Sequence, residues 1–166
     1  AQKAQPNILW GQDAGFEVPE FRATLGDSVL GILTRTVFLP QVVQVKEVAG
    51  QVNALYKAKT GNDLTGASAR SFTGLQAWVH VLEKAGSTEP ADIQKAANAI
   101  DIPGDELVVP WAGIKFSTSG EEIGQNTLGS GLIGQYQKNS DGQIVLEIVY
   151  PFDVASADMI YPFPEF

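Results

Sequence analysis

The sequence predicts a layered α/β protein that ends in a β-hairpin. Apolar residues recur at helical spacing between residues 42 and 100, and β-rich runs lie on both sides of this region. Near the end of the chain, the Asp-Gly pair of NSDG (139–142) favours a hairpin turn between strands at 131–137 and 143–149. The length of 166 residues suits one domain or part of a larger one.

The first part of the chain predicts two strands separated by a short helix. Residues 7–10 (NILW) favour a short buried strand, which the loop GQDAG follows. Pro19 suits the first turn of a short helix, and Gly26 suits its end. Residues 29–38 then form a β-rich run that ends before Pro40.

Three helices are predicted next. The first covers 42–59 and ends at Gly61, and the second covers about 70–85 and ends at Gly86. Thr88 is the expected N-cap of the third helix, which has Pro90 in its first turn. We expect their periodic apolar residues to be buried: Val45, Val48, Val52, Leu55 and Tyr56 in the first, Leu75, Trp78, Val79 and Leu82 in the second, and Ile93, Ala97 and Ile100 in the third.

The helical pattern disappears beyond Pro103. Residues 112–116 (AGIKF) favour a strand, and the aromatic and proline-rich tail from residue 150 favours irregular structure along a surface. The three tryptophans, Trp10, Trp78 and Trp111, are expected to be packing residues.

The composition excludes several classes of function. The 19 acidic and 11 basic residues give a net charge of −8, which repels phosphate backbones, so no nucleic-acid partner is predicted. The absence of cysteine excludes thiol nucleophiles, disulfides and cysteine-based metal sites in these residues. No apolar run approaches the ~20 residues that a membrane span needs. The first residues lack the pattern of a signal peptide, and we expect the sequence to begin within a fold.

Residues 129–134 (GSGLIG) match the dinucleotide-binding pattern G-x-G-x-x-G. That site requires a strand before the glycines and a helix after them, so that the phosphate meets free helix N–H groups. Polar, irregular sequence precedes this match, and the predicted hairpin follows it. The glycines therefore indicate close backbone packing where a strand begins.

No residues point to catalysis, to a metal ion or to a cofactor. The single histidine, His80, lies off the apolar stripe of its helix, and no G-x-S-x-G motif accompanies it. The acidic doublet Glu121-Glu122 is expected in a solvated turn. A carboxylate-only metal site and a pair of carboxylates for glycoside hydrolysis remain open, because nothing in the sequence selects a pair.

Two places suit a small ligand. Asp13 follows the first strand, and loops at the carboxyl ends of strands bind ligands in open α/β sheets. A carboxylate there can hold an ammonium group, although an Asp that caps its own loop is equally expected. Phe72, near the start of the second helix, is either a core residue or an aromatic wall over a ligand. Arg70 can meet a carboxylate, whereas most such arginines are simply solvated.

Several stretches carry a family resemblance: NILWGQDAGFEVPEF, LGDSVLGILTRTVFLP, VNALYKAKTG, SFTGLQAWVHVLEKAGSTEPADIQKAANAI, PWAGIKFSTSGEE, GQYQKNSDGQIVLEIVYP and YPFPEF. In order and spacing they resemble the second half of the type I periplasmic solute-binding proteins of ABC transporters. The most similar group is the branched-chain amino acid (leucine/isoleucine/valine-binding) family.

The resemblance implies the C-terminal portion of a two-lobed flytrap whose α/β lobes close over a solute. Residues 1–39 would complete the sheet of the C-terminal lobe, and residues 40–102 would supply helices of the N-terminal lobe. Residues 103–166 would form the hinge crossing, the hairpin of the C-terminal lobe and the tail. The first half of the same protein would be a further partner.

The resemblance also implies a site and a role. Asp13 would hold the α-ammonium group of an amino acid, with Gln12 beside it, and Phe72 would pack near the ligand. Arg70 departs from the small or apolar residues usual there, which leaves amides and aromatic acids open as ligands. The implied role is solute capture for a membrane permease, without catalysis, by a periplasmic or lipid-anchored protein whose precursor carries a signal peptide. A ligand-sensing domain of the same fold is the alternative.

Overall fold

The computed structural model of the protein describes residues 5–12 and 14–164. Within them the chain forms two compact units, the first from residues up to 41 and from 131 onward, and the second from residues 42–130. The predicted assignment of 1–39, 40–102 and 103–166 to lobes stays a prediction. In chain order the strands are β1 (Trp10–Gln12), β2 (Leu33–Thr36), β3 (Ile102–Pro103), β4 (Gly113–Ile114), β5 (Leu132–Lys138) and β6 (Ile144–Tyr150), and the helices are α1 (Pro19–Leu25), α2 (Glu47–Thr60), α3 (Gly66–Ala85) and α4 (Pro90–Ala97).

The first unit is built on a four-stranded sheet in the order β1-β2-β5-β6. β1 and β2 are parallel, whereas β5 is antiparallel to both β2 and β6. The core of this unit contains mainly aliphatic side chains from the sheet and from the segments that flank β2. Its buried members include Val29, Leu33, Phe38, Leu132, Tyr136 and Ile148.

The predicted β5–β6 hairpin is confirmed. Gly142 has a φ of 74°, a conformation that glycine adopts without steric cost. The side-chain oxygen of Asn139 accepts hydrogen bonds from the backbone N–H groups of Asp141 and Gln143, at 3.1 and 2.9 Å. The turn therefore forms because its own residues satisfy its backbone groups.

The tail lies against this sheet without a helix or strand of its own in residues 151–164, as predicted. Gln135 of β5 holds it there, although the side chain is only 1% exposed. Its amide nitrogen donates to the carbonyls of Gly31 and Ile160, each at 3.0 Å, and its amide oxygen accepts the N–H of Ile160 at 2.7 Å. Because these bonds satisfy the amide, a polar residue is tolerated inside the sheet.

The first strand differs from its prediction. It covers residues 10–12 instead of 7–10, and Ile8, Leu9 and Trp10 are exposed in the described structure instead of buried. β1 pairs with β2 on one side, and it lies at the end of the strand order. Apolar runs of this kind are typical of parallel strands that are covered on both faces. The sequence thus correctly indicated a strand. The described residues, however, leave the apolar side chains of Ile8, Leu9 and Trp10 exposed.

The second unit contains α2, α3, α4 and the antiparallel pair β3–β4. α2 begins at Glu47 instead of residue 42, because residues 40–44 form a 3-10 helix. The N-cap of α4 is Glu89 instead of Thr88, and no side chain caps this end. The strand predicted at 112–116 is limited to the two residues of β4.

α3 begins four residues earlier than predicted because Thr65 and Ser68 form a capping box. The backbone N–H of Ser68 donates to the Thr65 hydroxyl at 3.3 Å, and the backbone N–H of Thr65 donates to the Ser68 hydroxyl at 2.8 Å. These bonds satisfy N–H groups that a helix start otherwise leaves without partners. Gly86 ends α3 in the left-handed conformation, as Gly61 ends α2, and both predictions are confirmed.

The apolar stripe of α3 is not the core face that its spacing predicts. Leu75, Trp78 and Val79 are 61, 48 and 43% exposed in the described structure. The buried side of the helix instead carries smaller residues, among them Ala69, Thr73 and Val81. α3 therefore has two apolar sides, and the larger side chains lie on the one that these residues leave uncovered. Val45, which precedes α2, and Leu55 within α2 are likewise exposed instead of buried.

No helix in the described part of the chain is long and apolar enough to cross a membrane.

Candidate functional site

Two polar residues are neighbours at the carboxyl ends of the two parallel strands of the first unit. Gln12 is the last residue of β1, and its Cα partner across the sheet is Arg35 of β2. Both residues are exposed. Open α/β sheets bind ligands at this edge, as the sequence analysis expects. Asp13, the predicted ammonium partner, comes next in the chain but lies outside the described residues, so its role stays a prediction.

An aromatic cluster anchors the loop that follows β1. The ring of Phe16 packs over Gly11, where any side chain would overlap it. Phe16 and Phe21 have ring centroids 5.0 Å apart, and Phe21 lies 5.8 Å from the ring of Tyr136. The Tyr136 hydroxyl donates to the carbonyl of Phe16 at 2.6 Å. Burial raises the pKa of Tyr136, so the hydroxyl keeps the proton that this bond requires.

A second contact joins the same loop to β2. The hydroxyl of Thr36 donates to a carboxylate oxygen of Glu17 at 3.0 Å, and it accepts the backbone N–H of Phe38 at 3.5 Å. Thr36 is buried, so its hydroxyl needs such partners. Phe16 and Glu17, which precede α1, are thus held by the aromatic cluster and by the end of β2.

Arg35 is a candidate site residue that the sequence alone did not indicate. It is the one exposed residue of β2, whose other three members are buried. A Cβ atom at Gly131 would lie 3.0 Å from the Arg35 Nε atom, so the arginine side chain extends across the glycine that precedes β5. A lone arginine in a β-rich run carries no sequence signal for a ligand. Arg35 becomes a candidate only in the structure, where the strand register places it beside Gln12.

Close packing of the backbone accounts for glycines of the GSGLIG segment (129–134), so no nucleotide is needed to explain them. Gly131 leaves room for Arg35, and a Cβ atom at Gly134 would lie 2.7 Å from the Cγ atom of Leu146. The motif opens β5, and a strand follows it instead of a helix. The prediction that these glycines permit close packing at the start of a strand is confirmed.

The other predicted ligand residues, Arg70 and Phe72, lie on α3 in the second unit. Both are exposed in the described structure, Phe72 to 39%. Residues two apart on a helix do not share a face, so one small ligand cannot readily contact both from one side. Phe72 continues the exposed stripe of Leu75 and Val79. Gln12 belongs to the first unit and these two residues to the second, and the roles predicted for all three stay predictions.

The remaining chemical candidates form no site. The Nε2 atom of His80 lies 3.9 Å from a carboxylate oxygen of Glu106, and both side chains are solvent-accessible. Glu121 and Glu122 are exposed in a turn, as predicted. Residues 5–12 and 14–164 contain no cluster of three or more His, Cys, Asp or Glu residues suited to a metal ion.

An open cavity of about 460 Å³ in the first unit lies away from Gln12. Its lining includes Asp27, Gln137 and Lys138, and the Lys138 ammonium pairs with the Asp27 carboxylate at 2.8 Å. Gln137 and Lys138 follow Gln135, which pairs with the first residue of β2. This cavity is therefore at the opposite end of the sheet from the carboxyl ends of β1 and β2, and its two charges already neutralise each other.

Comparison with known proteins identifies the fold. No family model and no curated protein matches the sequence. A leucine-binding protein from Thermotoga maritima matches the structure with a TM-score of 0.61 at 21% identity, over 88% of this chain. A protein from Silicibacter pomeroyi, described as a branched-chain amino acid ABC transporter, matches with a TM-score of 0.68 at 17% identity, over 93% of this chain. An ABC transporter substrate-binding protein from Sphaerobacter thermophilus matches with a TM-score of 0.55 at 15% identity, over 89% of this chain.

The chain therefore has the type I periplasmic-binding-protein fold that its sequence predicts, over the part of that fold that it spans. It covers 38, 40 and 35% of those three chains, respectively. At these identities the likeness establishes architecture, and ligand and partners have to be argued separately.

Proposed function

We propose that this chain is part of the solute-binding component of an ABC importer and that it captures a small amino acid or related carboxylate. The observation that carries the proposal is the match of about nine-tenths of the chain to substrate-binding proteins. The exposed Gln12 at the carboxyl ends of parallel strands supports it, because this edge is where such sheets bind ligands.

The proposed ligand residues are those that the family resemblance implies, together with residues from the rest of a longer, two-lobed protein. Asp13 holds the ammonium group of the solute by a charge-assisted hydrogen bond, and Gln12 lies beside it. On α3, Phe72 forms an apolar wall, whereas Arg70, on a different face of the helix, is the alternative contact if the solute carries a carboxylate on that side. Groups in the remainder of the protein bind the α-carboxylate. The protein needs no metal ion or cofactor for this role and does not alter the solute chemically.

Capture works through differential affinity. A solute that binds the closed arrangement of two lobes better than the open one shifts the population toward closure. The closed, loaded protein is the form that a membrane permease recognises. This role places the protein in the periplasm or on the outer face of a membrane as a lipid-anchored protein, and its partners are the solute and the permease.

A thermal-shift panel on the complete protein tests the role. The panel contains branched-chain and aromatic amino acids, amides and aromatic acids. One class should raise the melting temperature, since ligand at a hundredfold excess over Kd stabilises a protein by about 2.7 kcal/mol. The solute should be recovered unchanged after incubation. Absence of any shift across the panel contradicts the proposal, and so does turnover of a bound compound.

Asp13→Ala tests the proposed ammonium partner. We expect it to weaken binding of an amino acid by about 2–5 kcal/mol, because it leaves a buried charge of the ligand unpaired. Asp153→Ala is the matched control, since Asp153 is an exposed carboxylate in the tail of the same unit. Isothermal titration calorimetry on both variants gives the comparison. An unchanged Kd for Asp13→Ala removes Asp13 from the site.

A further inference from the structure

We propose that Arg35 forms an anion subsite at the carboxyl ends of β1 and β2, and that the solute carries a carboxylate at the end that meets this edge. The inference rests on the proposed solute-binding function and narrows the ligand class. It selects acids, such as amino acids with an acidic side chain or aromatic acids, over their neutral amides and over aliphatic amino acids.

The first support is the position of Arg35 in the sheet. Gln12 and Arg35 are Cα partners on adjacent parallel strands, so their side chains lie on the same face. They occupy the last and the second-last positions of their strands. A guanidinium and an amide are thereby side by side at the edge where ligands approach such a sheet.

The second support is that the guanidinium of Arg35 has no ion-pair partner among residues 5–12 and 14–164. The side chain of Arg35 takes part in none of the ion pairs or side-chain hydrogen bonds among the described residues, although the chain carries a net charge of −8. Glu17 is the carboxylate bonded to the neighbouring residue, Thr36. Successive side chains of a strand point to opposite faces. The Thr36–Glu17 hydrogen bond therefore lies on the other side of the sheet from the Arg35 side chain.

The third support is the room made for the side chain. The Arg35 Nε atom lies 3.0 Å, and its Cγ atom 3.5 Å, from where a Cβ atom of Gly131 would be. A side chain at position 131 would compete with the arginine for this space. The glycine therefore leaves room for the course that the arginine side chain takes, and a guanidinium can bind a carboxylate with two parallel hydrogen bonds.

The test compares matched acid and amide ligands. Kd values are measured by calorimetry for glutamate and glutamine, aspartate and asparagine, and benzoate and benzamide, with a branched-chain amino acid as an aliphatic reference. The complete protein is compared with its Arg35→Gln and Arg35→Lys variants. Lys59→Gln is the control for loss of one positive charge, because Lys59 is exposed on α2 in the second unit.

We expect the unaltered protein to bind the acid of at least one pair more tightly than its amide. Arg35→Gln should weaken that acid by about ten- to a hundredfold and the amide by less than about twofold, because a charge-assisted contact is lost only with the acid. Arg35→Lys should give an intermediate loss, since it keeps the charge without the planar fork. Lys59→Gln should leave every Kd unchanged.

Other outcomes overturn the subsite in distinguishable ways. An equal loss for acid and amide means that Arg35 acts through the fold or through a neighbouring carboxylate such as Asp13. Unchanged acid binding in Arg35→Gln, or a protein that binds only neutral solutes, removes the subsite and leaves the solute-binding function standing. Failure of the unaltered protein to bind any compound overturns the proposed function, and the subsite falls with it.

Discussion

At Gly134, the close packing of two hairpin strands leaves no room for a side chain. A Cβ atom there would lie 2.7 Å from the Cγ atom of Leu146 and 3.1 Å from each of its methyl carbons. Leu146 is itself buried, so it cannot move away freely. We expect Gly134→Ala to lower the free energy of unfolding by about 1–3 kcal/mol, the usual cost of overpacking a core. The midpoint of urea-induced unfolding measures this change.

Gly74 supplies the matched control. It lies within α3, and apart from its chain neighbours and the adjacent backbone of the helix no described atom comes within 4 Å of its hypothetical Cβ. Gly74→Ala should stabilise the protein by about 0.5–1 kcal/mol, because alanine loses less backbone entropy in a helix. Equal effects of the two substitutions would mean that backbone entropy, and not contact with Leu146, sets the requirement at position 134.

Residue-level signals predicted those features that local chemistry determines. Gly61, Gly86 and Gly142 all have positive φ values, and the sequence placed a helix end or a turn at each of them. Arg35 escaped prediction because its significance depends on register across the sheet. No property of the residues around it in the sequence distinguishes it from an ordinary solvated arginine.

At the scale of elements, strands and helices were predicted better than the faces that they bury. The sequence placed α3 and β1 approximately, yet both expose the apolar residues that periodicity assigned to the core. Periodicity reports that a face is apolar and therefore needs cover. It does not report whether the cover comes from nearby residues or from more distant sequence.

The exposed stripe of α3 predicts a difference between the chain alone and the complete protein. The sequence contains no cysteine, so Leu75→Cys introduces a single thiol into it. In the isolated chain this thiol should react with a maleimide as fast as one at Glu83, an exposed position on the same helix. In the complete protein we expect at least tenfold slower labelling at position 75, because the proposed remainder of the two-lobed protein would cover this stripe.

Mass spectrometry of peptides locates each label and gives its rate. The control, Glu83→Cys, should stay reactive in both forms, which shows that the helix itself remains accessible. Equal, fast labelling at position 75 in the complete protein would contradict the interpretation that the stripe is an internal face.

At the scale of the whole molecule, each of the two units carries apolar surface that the described residues do not cover. The first unit presents Ile8, Leu9 and Trp10, and the second presents the stripe of α3. The chain also spans only 35–40% of the three substrate-binding proteins whose fold it shares. Under the proposed function, residues outside this sequence would complete both units and the proposed ligand site.

Solute binding should therefore require the complete protein. A solute that stabilises the complete protein in the thermal-shift panel should leave the melting temperature of the isolated 166-residue chain unchanged, because the groups proposed to hold its α-carboxylate lie outside this chain. The isolated chain should also bind a hydrophobic dye and self-associate at high concentration, as exposed apolar patches favour association. Light scattering across a concentration series measures the association. A ligand-induced shift of equal size in the isolated chain would place the whole site within these residues, and the two-lobed account of capture would then be wrong.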